Sequence, residues 1–74
     1  MDINEKVLLL AILKKDLDET LNDVVLKLEN TNLFSLKDGK RLLKKLGSEE
    51  FISDSYLTFK GEVVAKNVEQ EFKI

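Results

Sequence analysis

The chain has no cysteine and no histidine, it carries no glycine-rich phosphate loop, and its longest apolar run is seven residues, Val7 to Leu13. Without cysteine there are no disulfides and no thiolate metal ligands. Without histidine the usual neutral-pH base and the commonest metal ligand are missing. Most catalytic constellations go with them. The carboxylates that do cluster, Asp16, Asp18 and Glu19 or Glu49 and Glu50, fall in turns and helix starts, where solvated charge explains them better than catalysis. The chain is therefore not read as an enzyme, and no cofactor, metal or small-molecule substrate is expected. The run from Val7 to Leu13 is too short to span a bilayer and lacks the cationic start and small-residue cleavage site of a secretory signal, so the expected location is cytoplasmic, with no membrane partner.

What is present points to one compact domain. At 74 residues, 43% hydrophobic and 35% charged, the chain is too apolar to be disordered and is near the size where a single core is barely sufficient. Each apolar face must be used internally or covered by a partner, so a homodimer is expected. Fourteen acidic and twelve basic residues give a net charge of −2, but the charge is unevenly spread. Residues 1–36 hold seven acids and four bases, residues 37–47 one acid and five bases, and residues 48–74 six acids and three bases. A single positive segment with negative flanks orients toward a polyanion through that segment alone.

From Leu36 to Leu46 every long charged residue except Asp38 is basic. At about 100° per residue, Lys37, Lys40, Arg41, Lys44 and Lys45 cover an arc of roughly 140° on a helix. Leu36, Gly39, Leu42, Leu43 and Leu46 cover roughly 120° on the other side. One face wants a core and the other an anion. A nucleic-acid backbone is the anion whose bound counterions such a face displaces.

The flanking segments can be placed from their caps and periodicity. Asp2, with Glu5 three residues on, can cap a first helix reaching Lys15, uninterrupted by glycine or proline. Its apolar residues point nearly all round, as in a central helix or one that shares a face with another subunit, and some of Leu8, Leu9, Ile12 and Leu13 are expected to meet a second subunit. Asp18 or Thr20 can cap a second helix to about Asn30, with Leu21, Val24, Val25 and Leu28 inward and Leu26 as its exposed apolar residue. Asn30, Thr31 and Asn32 break that helix. Ser35, with Asp38 as third residue, can cap the basic helix, and Gly47 is expected to end it in left-handed geometry. Phe51, Ile52, Tyr56 and Leu57 then read as two short antiparallel strands about a tight turn at Ser53, Asp54 and Ser55. Thr58 can cap a last helix from Phe59 to about Lys73, with Gly61 allowing close backbone approach and Gly61, Val64, Ala65, Val68 and Phe72 on one face.

Helix, helix, basic helix, short hairpin, helix is a mainly α fold with a small β-hairpin. This order resembles the winged helix-turn-helix family. The stretch Phe51-Ile52-Ser53-Asp54-Ser55-Tyr56-Leu57-Thr58-Phe59-Lys60-Gly61-Glu62 is similar to that family's wing and its exit into the last helix. The resemblance covers nearly the whole chain, residues 1–74. It implies that the second and third helices form a helix-turn-helix unit, with the basic helix in a DNA major groove and its early residues nearest the bases. Arg41 and Lys40 are the expected base contacts, since a guanidinium can bridge the two acceptors of guanine. Lys37, Lys44 and Lys45 are the expected phosphate contacts, with Ser35, Asn22 and Thr20 as lesser donors at helix starts. Two features depart from the family pattern. The turn before the basic helix is long, and the wing is short with Asp54 at its tip, so no wing contact with DNA is expected. Lys60 is placed beside the cap of the last helix.

The expected function is a small DNA-binding domain, a transcriptional regulator that binds duplex DNA through residues 36–46 as a homodimer assembled by its first or last helix. The alternative is a protein-protein interaction module on the same scaffold, in which the basic helix docks an acidic partner or is merely solvated. The net acidity and the acidic wing favour the alternative, and interruption of the positive face by Asp38, Glu49 and Glu50 would distinguish it.

Overall fold

A computed structural model describes residues 1–73. The elements run α1 (Ile3–Lys14), α2 (Leu21–Asn30), α3 (Leu36–Ser48), β1 (Ile52–Ser53), β2 (Tyr56–Leu57) and α4 (Phe59–Phe72). This is a mainly helical fold with one antiparallel hairpin, in the order expected. Among the described residues, no helix is long and apolar enough to cross a membrane.

Each helix starts where a short polar side chain satisfies a free backbone N–H. Asp2 Oδ1 accepts from the Glu5 N–H at 2.9 Å, Ser35 Oγ from the Asp38 N–H at 3.1 Å, and Thr58 Oγ1 from the Gly61 N–H at 3.0 Å. At α2, Thr20 rather than Asp18 is the cap, and its box is reciprocal: Asp23 N–H donates to Thr20 Oγ1 at 3.1 Å while Thr20 N–H donates to Asp23 Oδ2 at 2.9 Å.

α1 is the central helix. It packs against α4, α2 and β2, so its all-round apolar sequence is covered from several sides. Leu8, Leu9 and Ile12 lie in the chain's own core, which corrects the expectation that they meet a second subunit. Leu13 is half-buried against the same core. In α2, Val24 and Val25 are buried, Leu21 and Leu28 partly so, and Leu26 is exposed, as its periodicity predicts. Phe72 departs from its expected inward position and is 39% exposed, because the shared face of α4 ends at Val68.

α3 runs past its expected end. Gly47 lies inside the helix, no glycine has a positive φ, and the left-handed position falls on Glu50, with φ 64°. The reason is the residue that follows. A helix of this kind closes with a 6→1 and a 5→2 hydrogen bond and an apolar contact between the residue after the left-handed one and the helix's last turn. Phe51 N–H donates to the Leu46 carbonyl at 2.9 Å and Glu50 N–H to the Gly47 carbonyl at 3.1 Å, with Phe51 and Leu46 both buried. A stop at Gly47 would have put Ser48 in that apolar place. α2 ends in the same way at Asn32, with φ 62°, where Leu33 N–H reaches the Leu28 carbonyl at 3.3 Å.

β1 and β2 pair Ile52 with Leu57 and Ser53 with Tyr56, leaving Asp54 and Ser55 as the loop, with Asp54 at φ 56°. The hairpin is fastened to α4 by Phe51. Its carbonyl accepts from the Thr58 N–H at 3.0 Å, and a Cβ added at Gly61 would lie 1.8 Å from that same oxygen. Only glycine fits there, which realises the close approach expected at Gly61.

Two substitutions test these backbone readings by urea denaturation. Gly61→Ala should lower stability by about 3 kcal/mol or more, because the new methyl meets backbone rather than a movable side chain. Glu50→Gly should raise it by about 0.5–1 kcal/mol by relieving a left-handed residue that carries a side chain.

Candidate nucleic-acid interface

The rotation of α3 is set by its buried side. Leu46 and Gly39 are buried, and a Cβ at Gly39 would meet Val25 Cγ1 at 2.5 Å and Phe34 Cε1 at 2.8 Å, so α2 and α3 approach closely at this glycine. That contact turns Lys37, Lys40, Arg41 and Lys44 outward, all exposed.

Ion pairing engages Lys6, Lys14, Lys27 and Lys66 on the other helices, whereas Lys15 and Lys60 reach only backbone carbonyls and aromatic rings. Lys6 is 2.8 Å from Glu71 and Lys66 is 2.9 Å from Glu62, while Lys14 pairs with Glu69 and Lys27 with Glu19. Lys37, Lys40 and Lys44 have no carboxylate within 4.0 Å among the described residues. Arg41 has only Asp38, at 3.8 Å between two exposed side chains, a pairing worth little in water.

Lys45 leaves the group. Its Nζ is 2.7 Å from Glu5 Oε1, and Glu5 is 3% exposed although Lys45 itself is 54% exposed. A buried carboxylate is tolerated only while it is paired, so a phosphate that drew Lys45 away would leave Glu5 uncompensated. Lys45 therefore ties α1 to α3.

The lesser donors are also occupied or re-aimed. Ser35 and Thr20 serve as the caps of α3 and α2. The first turn of α3 is further satisfied by Glu29, whose Oε2 accepts from the Leu36 N–H at 3.0 Å. Glu29 and Asp38 thus place carboxylates beside Lys37 at this end, and Lys40 and Lys44 lie further along α3. Asn22 is brought near Lys40: with Leu26, Leu36 and Lys40 it lines a cleft of about 150 Å³ between α2 and α3. Lys60 folds back, donating to the Glu49 carbonyl at 3.0 Å with its Nζ 4.8 Å from the centroid of the Phe51 ring.

Sequence reasoning passed over Phe59, which is 85% exposed at the first position of α4. The signal was available. Counting about 100° per residue, Phe59 lies opposite the Gly61, Ala65 and Val68 face. Compared with protein-family models, curated proteins and solved structures, the chain matches none.

The tie between Glu5 and Lys45 has a pH signature. Its hydrogen bond to Glu5, and then the attraction of that carboxylate, hold the Lys45 ammonium above the ordinary lysine value of 10.5. A folded-state value above the unfolded one gives stability that is complete below the unfolded value and lost as pH rises through the folded one. In urea titrations, Lys45→Gln should therefore lie below the parent protein by a constant margin from neutral pH to about pH 10, and the margin should narrow above 10.5.

Proposed function

We propose that the chain is a winged-helix DNA-binding domain whose α2 and α3 act as the helix-turn-helix unit, with the outer face of α3 laid against duplex DNA. The reading rests above all on Lys37, Lys40 and Lys44, which share one face of α3 with no carboxylate within 4.0 Å among the described residues; Lys6, Lys14, Lys27, Lys45 and Lys66 are each paired with a glutamate, and Lys15 and Lys60, though also without a carboxylate, lie apart over the Tyr56 and Phe51 rings. Cations without internal partners keep their counterions in solution, and releasing phosphate counterions against them drives association. The element order and the hairpin after α3 support the winged-helix form.

In this reading Arg41 reads guanine through its fork of donors and Lys40 reaches a base edge. Lys37 and Lys44 take phosphates on either side. Asn22, across the small cleft from Lys40, supplies an amide donor from α2. Asp54 keeps the hairpin off the backbone. The protein acts as a transcriptional regulator, a homodimer whose contact falls on Ile3 of α1 and on Val63 and Phe72 of α4, three of the apolar side chains left exposed there.

Fluorescence anisotropy with mixed-sequence duplex DNA across a salt series tests the reading. With four cations engaged per subunit, log affinity should fall against log salt with a slope of about −3.6. Lys37→Ala should weaken all sequences alike and reduce the slope by about 0.9, Arg41→Ala should relax sequence preference, and Lys45→Gln should leave the slope unchanged. Absence of binding even at low salt contradicts the reading and leaves the scaffold as a protein-interaction module.

A further inference from the structure

Gly47 is a glycine that the backbone does not require. It sits inside α3 without a positive φ, and a Cβ built on it would meet only Ile52 Cγ1, at 3.8 Å, an ordinary contact. Alanine would be the better helix former there, and the left-handed turn that glycine would serve falls on Glu50 instead. What the missing side chain provides is space. Gly47 lines an open cleft of about 580 Å³ whose other walls include Ile52, Ser53, Glu50 and the exposed ring of Phe59.

The cleft continues the cationic face. Lys37, Lys40, Lys44 and Gly47 are spaced i, i+3, i+7 and i+10, so they lie along one side of α3 in successive turns. Three turns present a cation, and the fourth presents a gap beside a bare aromatic ring.

We propose that this cleft receives an unpaired nucleobase from a nucleic acid whose phosphates lie along Lys37, Lys40 and Lys44, with the base stacked on Phe59. The inference rests on the nucleic-acid reading of α3 and narrows its ligand to DNA with a displaced base. Glu50 and Lys60 line the cleft with opposite charges, and the Lys60 ammonium is held on the Glu49 carbonyl, so the neutral base enters while the phosphates stay on Lys37, Lys40 and Lys44. The Glu50 carboxylate accepts from an exocyclic amine, and the Ser53 hydroxyl both donates and accepts along a base edge. A phenyl ring stacks on any base, so the cleft selects the unpaired state rather than a sequence. A base inside an intact duplex has both faces covered and must leave the stack to enter.

Anisotropy with three DNAs at one salt concentration decides the matter: a fully paired duplex, the same duplex with one bulged adenosine, and the same bulge with an abasic residue. The parent protein should bind the adenosine bulge about ten-fold more tightly than the abasic bulge. Phe59→Ala, which removes an exposed ring, should erase that difference and leave affinity for the paired duplex unchanged. Gly47→Leu, which fills the cleft, should erase it as well. Equal binding of the two bulges by the parent protein, or a difference that survives Phe59→Ala, overturns the inference while the duplex reading stands. Failure to bind any of the three overturns both. A change of Phe59→Ala from dimer to monomer in sedimentation assigns the ring to a subunit contact and overturns the inference too.

Discussion

The contact between the Phe51 carbonyl and Gly61 holds the second half of the molecule in place. Phe51 serves three partners at once: its N–H closes α3 on the Leu46 carbonyl, its ring is buried, and its carbonyl takes the Thr58 N–H. The oxygen then lies so close to Gly61 that no side chain fits between them. The hairpin leaves this junction as a short loop drawn back to the body, and α4 starts from it under the Thr58 cap, whose hydroxyl also donates to the Glu50 carbonyl at 2.6 Å. Since α4 begins there with its small residues inward, Phe59 is turned outward beside the end of α3.

Electrostatics gives the molecule its sides. A net charge of −2 describes the whole chain, but Lys6, Lys14, Lys27 and Lys66 on α1, α2 and α4 are each paired with a glutamate, while Lys37, Lys40 and Lys44 of α3 are not. The buried Glu5 carboxylate takes one more, Lys45, at the flank of α3 nearest α1. Desolvating Glu5 is unfavourable unless the ammonium stays, so the pair orients α3 on α1 while reducing the surface open to a polyanion. Glu29 acts similarly at the other end, holding the first N–H of α3. The cationic surface that remains is short, with an acidic boundary at its start and Glu49 and Glu50 beyond its end.

Much of the fold was legible because its signals are local. The hydroxyls and carboxylate of Asp2, Thr20, Ser35 and Thr58 need only the three residues that follow them, and all four serve as helix caps. The amphipathic pattern of α2 located Leu26 outside, and Gly61 was singled out for close approach. The remaining positions depend on distant residues. Gly47 has the local preference for a helix end, yet the burial of Phe51 decided where α3 closes. Leu8, Leu9 and Ile12 could not be assigned between core and subunit contact from a pattern that is apolar on every side; the packing of α4, α2 and β2 around α1 decides it. Lys45 looks like its neighbours along the chain, and only Glu5, forty positions earlier, separates it from them.

The central claim is that the outer face of α3 is where this protein meets a polyanion. Backbone amide shifts followed by NMR while duplex DNA is added test it most directly, since they report on every element at once. The account predicts perturbations confined to residues 37–47 and to Asn22 on α2, with the amides of α1 and the C-terminal half of α4 unmoved. Perturbations centred on α1 or α4, or none at saturating DNA in low salt, would contradict it.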